Sequence, residues 1–384
     1  MDRDQSIKLM QDLLRRVVEK GASDLFVTAG FPPAIKIDGE VRPQSERALT
    51  AEQSSVLTRA IMNDRQSKEF DSSKECNFAI APPGIGRFRV NAFVQQGQTG
   101  CVIRMINAKI PTIEELELPP VLKDVVSSKR GLVLVVGGTG SGKSTTLAAM
   151  LGYRNEKSRG HIVTIEDPVE YVHNHKGCVV THREVGVDTD NWHNALKNTL
   201  RQAPDVIYIG EIRDRETMDY AIQFSETGHL VLATLHANSS NQALERVINF
   251  FPDERREQLL MDLSLNIRAL ISQRLIPREG GSGRIAAMEI MLNSPLIQDL
   301  IFKGEVSKIK DIMARSTRLG MKTFDQALFD LYETGQVSYE DALRSADSKN
   351  ELRLKVKLQS KRENKNVEDA GSLEILEEDE GQSL

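Results

Sequence analysis

The residues best suited to chemistry lie in the stretch GLVLVVGGTGSGKSTT, residues 131–146. An apolar run leads into the pattern G-x-x-x-x-G-K-S, formed by Gly137, Gly142, Lys143 and Ser144, and a helix-forming segment follows. Glycines let backbone N–H groups curl around phosphate, the lysine reaches the outer phosphates, and the hydroxyl can ligate Mg²⁺ at a helix start. The stretch therefore favours a site for ATP and Mg²⁺ over an ordinary glycine-rich turn. The residues predicted to contact the nucleotide are Gly137, Thr139, Gly140, Ser141, Gly142, Lys143, Ser144 and Thr145.

Three further apolar runs each end in a side chain that can transfer a proton or bind a cation. HIVTI leads into Glu166 and then Glu170, DVIYIG leads into Glu211, and HLVLATL leads into His236. Ligands of a parallel sheet bind at the carboxyl ends of its strands, so we expect these side chains beside the glycine-rich loop. Glu211 stands at the Walker B position and, with Ser144, would hold the Mg²⁺ shell, whereas Glu166 or Glu170 would orient the attacking water. Spacing alone does not decide which carboxylate has which role.

The run GHLVLATLHANSS, residues 228–240, carries a histidine near each end. In a strand, about 3.3 Å per residue separates the side chains of His229 and His236 by roughly 23 Å, so one metal ion cannot bind both. No CxxC or HxxxH pattern lies nearby, and the three cysteines are far apart. Both histidines are candidate catalytic residues: His236 is expected to face the γ-phosphate, and His229 the opposite end, where it could contact another subunit.

Composition restricts the classes of protein to which the chain can belong. The 384 residues suggest two or three domains, and 40% apolar with 27% charged residues is typical of a soluble globular protein. No signal peptide or bilayer-spanning run is recognisable, and three scattered cysteines suit a reducing compartment, so a cytoplasmic protein is expected. A net charge of −5 without a basic block gives no footprint for nucleic acid.

The spacing of apolar residues predicts the helices and strands that position these side chains. Apolar residues at helical spacing predict a helix over residues 7–18, which Gly21 ends. The segments SDLFVTAG, AIKIDGEVRP, FRVNAFV and CVIRMI predict strands, with a turn at Asp38-Gly39 and a helical stretch from Thr50. From residue 121, strand signals alternate with helical patterns, as in an α/β parallel sheet.

These patterns divide the chain into four parts. A proline-rich acidic segment separates the two folded parts, and the end of the chain is basic over 349–365 and acidic over 368–380, which predicts a disordered tail. The predicted parts are an α+β amino-terminal domain (1–110), a linker (111–120), an α/β domain (121–345) and a charged tail (346–384).

Three segments carry a family resemblance. TIEDPVEYV, GEIRDRET and ETGHLVLATLHAN resemble the Asp box, Walker B region and His box of the type II/IV secretion ATPase superfamily. The order of motifs, with ASDLFVTAG and GRFRVNAF, is similar to the PilT/PilU group of type IV pilus retraction ATPases over about residues 5–345. The resemblance implies a RecA-like P-loop domain, a PAS-like amino-terminal domain and a hexameric ring in which rotation between the domains drives pilus disassembly.

The resemblance also implies that arginines of the smaller domain complete the ATP site. The matching positions are Arg87, Arg89 and Arg104. The alternation of FRVNAF is equally that of any half-exposed strand, so both interpretations stand.

The chain departs from the main retraction motors at two places. Their AIRNLIRE motif reads LIQDLIFK here, with Gln298 and Phe302 in place of the arginines and Lys303 in place of the acid, and their SDLHL reads SDLFV with Phe26. With the acidic tail, these differences resemble the accessory PilU branch. LIQDLIF could equally be an amphipathic packing helix.

The expected function is that of a hexameric Mg²⁺-dependent ATPase that acts as accessory motor in pilus retraction and twitching motility. The implied partners are further copies of the chain, the main retraction ATPase and the inner-membrane platform protein, at the cytoplasmic face of the inner membrane, with no nucleic acid. The alternatives are a nucleotide-gated adaptor that hydrolyses little ATP, and a pilus-assembly or type II secretion ATPase, whose usual extra domain and tetracysteine motif are missing here. A nucleic-acid translocase is a further alternative, which the acidic charge disfavours.

Overall fold

The computed structural model describes residues 3–37, 39–106, 109–281 and 283–362. Across these ranges the chain forms one antiparallel and one mostly parallel β-sheet, which are consecutive in sequence. No helix in the same ranges is both long and apolar enough to cross a membrane.

The smaller sheet is antiparallel throughout, in the spatial order β3-β2-β1-β6-β5-β4. Its strands are β1 (Asp24–Val27), β2 (Ala34–Ile37), β3 (Glu40–Pro43), β4 (Glu75–Ile80), β5 (Arg87–Gln95) and β6 (Gln98–Ile106). The helices of this part are α1 (Arg3–Glu19), α2 (Ala51–Ala60) and α3 (Asp64–Ser73).

The helical spacing at the start of the chain is confirmed by burial. Met10, Leu13, Leu14 and Val17 lie on one face of α1 and are buried against the smaller sheet. Thr50 caps α2 through a capping box, since its hydroxyl accepts from the Gln53 N–H and the Gln53 side chain accepts from the Thr50 N–H. The prediction lacked α3 and β4, and Asp38 of the predicted turn lies outside the described residues.

The larger sheet runs in the spatial order β13-β12-β7-β11-β10-β8-β9, and every neighbouring pair is parallel except β12 and β13. Its strands are β7 (Gly131–Val136), β8 (Gly160–Glu166), β9 (Cys178–Glu184), β10 (Val206–Ile209), β11 (Leu230–Leu235), β12 (Ile267–Pro277) and β13 (Arg284–Leu292). The helices are α4 (Val121–Val126), α5 (Lys143–Lys157), α6 (Trp192–Thr199), α7 (Arg215–Glu226), α8 (Ser240–Asn249), α9 (Arg256–Asn266), α10 (Pro295–Phe302), α11 (Ile309–Arg315), α12 (Phe324–Glu333), α13 (Tyr339–Ser345) and α14 (Lys349–Gln359). Short 3₁₀ turns lie at Leu200–Gln202, Asp253–Arg255, Val306–Lys308 and Thr317–Leu319.

Helices cover both faces of this sheet. Every residue of β7, β10 and β11 is buried, as the uninterrupted apolar runs require when both faces of a strand are packed. Because β7, β8, β10 and β11 are parallel, their carboxyl ends share one edge, and the residues that follow them are neighbours.

The segment predicted as a linker packs onto the larger sheet. Ile113 and Leu118 are buried in the apolar core beside α4 and α5. Glu117 accepts hydrogen bonds from Arg278 and Gln336, which anchors the segment at a further point.

The prediction of disorder from residue 346 is wrong for the first part of the tail. Residues Lys349–Gln359 form α14, whose Leu352 and Val356 are 1% and 4% exposed against the core around α12. The Asp325 carboxylate also accepts from the N–H groups of Asp347 and Ser348, at 2.8 and 3.2 Å. Lysine and arginine are as frequent as apolar residues in this helix, and they hid the buried apolar pair at i and i+4 spacing. The acidic stretch of the predicted tail lies outside the described residues.

Candidate active site

The loop between β7 and α5 follows a path that only glycine permits at two points. Gly137 has φ +153°, and a Cβ atom there would lie 2.5 Å from Ser141 Oγ and 2.6 Å from the Gln273 carbonyl oxygen. Gly142 caps α5 with φ +86°. Such a tight path at a helix amino terminus is the one a phosphate-binding loop needs.

Lys143 opens α5 and is held by the loop itself. Its Nζ donates to the carbonyl oxygens of Gly137 and Gly138, both at 2.9 Å. Burial lowers the pKa of Lys143, and the negative charges of Glu211 and Glu170 act in the opposite direction. Ser141 Oγ is buried and lacks a hydrogen-bond partner among the described residues. The loop thus offers an ammonium and an unsatisfied hydroxyl, which suit a phosphate anion.

Glu211 and His236 form a pair at the centre of the edge. Glu211 follows β10, and its Oε1 lies 2.9 Å from His236 Nε2. Its Oε2 accepts from Arg213 Nε at 2.8 Å, so both carboxylate oxygens have a partner. His236 follows β11 and its side chain is 41% exposed, which leaves it accessible from the solvent side.

The two other candidate carboxylates differ in exposure. Glu166 ends β8 and is 5% exposed, and its Oε1 lies 3.8 Å from His182 Nδ1. Glu170 is exposed and closes the short Asp-box loop, residues 167–170, that follows Glu166. Both side chains border the same cavity as Lys143 and Glu211.

This cavity has a volume of about 220 Å³ and lies at the carboxyl edge of the larger sheet. Larger clefts, of about 690 and 450 Å³, occur elsewhere, and neither includes the glycine-rich loop. The residues that line the cavity are Thr139, Gly140, Lys143, Ser144, Glu166, Asp167, Pro168, Glu170, Trp192, Tyr208, Gly210, Glu211, Arg213, Thr234 and His236.

Seven of the fifteen lining residues were not among the predicted site residues, and four of them lie within two positions of a predicted carboxylate: Asp167, Pro168, Gly210 and Arg213. Arg213, two positions after Glu211 in GEIRDRET, could have been suggested by its place in the motif. Tyr208 and Thr234 lie inside the apolar strands β10 and β11, and Trp192 begins α6, so nothing in their spacing marked them. The Thr145 hydroxyl lies 2.9 Å from the Tyr171 hydroxyl, and its contact with nucleotide stays a prediction.

Four predicted residues lie away from the cavity in this chain. His229 precedes β11, and its Nδ1 is 3.1 Å from both Thr227 Oγ1 and the Phe224 carbonyl oxygen. Arg104 Nε donates to Asp24 Oδ1 at 2.8 Å. Arg87 pairs with Glu184 at 3.1 Å, and Arg89 lies opposite Arg104 in the register of β5 and β6. A role for any of them at the nucleotide stays a prediction.

Known proteins resemble the chain over nearly its whole length. The family model described as "Type II/IV secretion system protein" matches residues 1–344. The chain is 57% identical over 372 residues to the "Type IV pilus ATPase PilU" of Pseudomonas aeruginosa, which covers 96% of this chain and 97% of that protein. It is 45% identical over 335 residues to the "Type IV pilus retractation ATPase PilT" of the same organism, with 87% and 97% covered. A crystal structure of the pilus retraction motor PilT with bound ADP matches with a TM-score of 0.83 at 38% identity and covers 89% of this chain and 98% of that one. These similarities confirm the predicted α/β fold and the predicted resemblance.

Proposed function

The chain belongs to the type II/IV secretion system protein family, and from this premise we propose that it is an Mg²⁺-dependent ATPase of type IV pilus retraction. In this proposal it converts ATP hydrolysis into mechanical work and serves twitching motility as accessory motor to the main retraction ATPase. The observation that carries the proposal is the Glu211–His236 pair, which borders the same cavity as Lys143 of the glycine-rich loop. The names of the two relatives, a pilus ATPase and a pilus retraction ATPase, supply the process.

Lys143, Ser144 and Glu211 each have a role in the proposed binding of ATP and Mg²⁺. Lys143 would exchange the carbonyl oxygens of Gly137 and Gly138 for phosphate oxygens, which are stronger acceptors for an ammonium. The Ser144 hydroxyl and the Glu211 carboxylate are the groups that would hold Mg²⁺, which supplies charge neutralisation when it is bound with ATP. No trio of His, Cys, Asp or Glu within the described ranges is arranged to hold a metal alone, so the phosphates would provide the remaining ligands.

Glu170 is the better candidate to orient the attacking water. A water molecule must reach the carboxylate from the cavity, and Glu170 is exposed there, whereas Glu166 is buried beside His182. His236, whose Nε2 lies 2.9 Å from Glu211 Oε1, would transmit the state of the phosphate to the carboxyl end of β11. Arg213 would hold the second oxygen of Glu211 and so fix the direction of its carboxylate.

The assembly and location belong to the same proposal. We infer a homo-hexamer at the cytoplasmic face of the inner membrane, in contact with the platform protein and the main retraction ATPase. Arg89, Arg104 and His229, which lie outside this chain's own cavity, would contribute to nucleotide contacts or subunit contacts within that ring.

The test is steady-state ATP hydrolysis by the purified full chain over a range of protein concentrations. Lys143→Ala and Glu211→Gln should each lower turnover by about 100-fold or more, since they remove the phosphate-binding cation and a cation-binding carboxylate. Glu216→Gln is the matched control, because its side chain is 58% exposed and lies outside the cavity. Specific activity should rise with concentration as the ring forms. Tight ATP binding without hydrolysis at any concentration would instead support the nucleotide-gated adaptor.

A further inference from the structure

A single carboxylate joins the smaller sheet to the Asp-box loop. Glu184 ends β9 and is 4% exposed. Its Oε2 accepts from Arg87 Nη2 at 3.1 Å and from the Val169 N–H at 3.2 Å. Arg87 begins β5 of the smaller sheet, whereas Val169 lies in the Asp-box loop directly before Glu170.

The rest of Glu184 is firmly placed. Its N–H donates to Asp188 Oδ2 at 2.9 Å, and in the β8–β9 register it lies directly opposite Glu166. The N–H of the next residue, Val185, donates to the Glu166 carbonyl oxygen at 2.9 Å. Glu184 therefore lies beside the strand end that carries the first candidate carboxylate and also bonds to the loop that carries the second.

We propose that Arg87 is a positioning residue, which holds the Asp-box loop through Glu184 and so makes the geometry of Glu170 depend on where the smaller domain lies. This inference rests on the proposed ATPase function. It differs from a direct contact with phosphate, since Arg87 does not border the cavity that contains Lys143.

The burial and the hydrogen bonding of the Arg87–Glu184 ion pair indicate that it can be broken and formed again. A buried carboxylate needs a positive partner, and the Arg87 side chain, 27% exposed, supplies it. Without Arg87, Glu184 would lose its countercharge, so the carboxylate would turn toward water or another donor and its hydrogen bond from the Val169 N–H would weaken. Arg87 Nε is buried without a hydrogen-bond partner among the described residues, so the guanidinium is only partly engaged. A small rotation of the smaller domain is enough to break the remaining Nη2 contact.

Only one residue, Val169, separates the Glu184 hydrogen bond from Glu170, so the position of Glu170 depends on that bond. Val169 is fully buried, so its position is set by packing on one side and by the Glu184 carboxylate on the other. Glu170 follows immediately and points its carboxylate at the cavity. Misplacement of a water-orienting group by about 1 Å lowers turnover far more than it lowers affinity for the ground state.

The first measurement is the kcat and KM of ATP hydrolysis for Arg87→Ala, Glu184→Ala and the double variant of the full chain. We expect kcat to fall about tenfold in each single variant with KM nearly unchanged, and no further fall in the double variant, because both changes break one link. Arg87→Lys should recover part of kcat, since an ammonium can still pair with Glu184. Arg42→Ala is the control, because it removes an exposed ion pair with Glu40 from the same sheet.

The second measurement does not depend on turnover: amide hydrogen exchange of the peptide that contains Val169. Exchange should be faster in Arg87→Ala and Glu184→Ala than in the wild type and unchanged in Arg42→Ala. Glu184→Gln, which keeps an oxygen acceptor without the charge, replaces Glu184→Ala if that variant does not fold.

The outcomes separate the two proposals. If the wild type hydrolyses no ATP but amide exchange at Val169 is faster in Arg87→Ala, the positioning role of Arg87 is supported and the proposed ATPase function is refuted. If Arg87→Ala raises KM while the Glu184 variants behave as wild type, Arg87 contacts nucleotide directly and the link is wrong. Effects of the two single variants that multiply to about a hundredfold in the double variant would also overturn it.

Discussion

We predict that the larger domain loses stability in mild acid, because it contains the buried His173. His173 lies in the segment that connects β8 to β9. It is 7% exposed, and its ring stacks on that of His182 with centroids 5.9 Å apart. Burial, and then electrostatic interaction with His182 and Lys176, lower the pKa of His173 from 6.5 to about 4. The imidazole is therefore neutral in the folded protein at every pH above about 4, whereas in the unfolded chain it gains a proton below 6.5.

The sign and size of the effect follow from linkage. Between pH 6.5 and 4 the unfolded state binds more protons, so the contribution of His173 is complete above pH 6.5 and is lost as pH falls. At pH 5, protonation of the unfolded chain alone removes about 2 kcal/mol from the free energy of unfolding relative to pH 8. This is a large share of the stability of an ordinary domain.

Urea denaturation at pH 8 and pH 5 measures this loss. Trp192 is the only tryptophan and belongs to the same domain as His173, so its fluorescence follows the unfolding of that domain. The wild type should lose about 2 kcal/mol more than His173→Gln between the two pH values. His193→Gln, at a half-exposed histidine, should keep the loss of the wild type. Equal losses in wild type and His173→Gln would refute the assignment of a buried neutral imidazole.

Two further predictions concern the glycine-rich loop and the last helix. Gly137→Ala should lower ATP affinity in calorimetry by about 100-fold or more, because its Cβ would meet Ser141 Oγ and the Gln273 carbonyl oxygen; unchanged affinity would show that the loop relaxes. Leu352→Ala should reduce the free energy of unfolding by about 2–3 kcal/mol, and Leu358→Ala, at a side chain 71% exposed, by less than about 0.5 kcal/mol. Similar urea midpoints for the two leucine variants would contradict the docking of α14.

Much of the fold was predictable because buried faces of helices and strands require apolar residues at regular spacing in the sequence. The apolar spacing of α1 and the uninterrupted runs of β7 and β11 each match one pattern of burial, on one face or on both. β9 was missed because CVVTHRE mixes buried, half-buried and exposed positions and contains four polar and three apolar side chains. The α14 helix was missed because two buried apolar residues among lysines do not stand out in composition.

The site was predictable as far as topology determines it. Glu166, Glu211 and His236 each follow a strand of one parallel sheet, and parallel strands bring their carboxyl ends to a single edge. The partner of each side chain was not predictable in this way. The contact between Glu211 and His236, and the hydrogen bond from Arg213 to Glu211, depend on side-chain rotamers that no spacing specifies.

The carboxylate partners of the arginines in the smaller domain could not be predicted from the sequence pattern. Alternation along β5 places Arg87 and Arg89 on one face, but it does not reveal that Arg87 pairs with a carboxylate 97 residues further along the chain. In this conformation Arg87 and Arg104 each already have a countercharge, Glu184 and Asp24. A nucleotide contact by Arg87 Nη2 must therefore first replace the Glu184 carboxylate, and that exchange would weaken the hydrogen bond from the Val169 N–H to Glu184 at the same time. Contact of Arg87 with a phosphate and firm placement of the Asp-box loop through Glu184 are thus alternatives within one chain, because both need the same guanidinium.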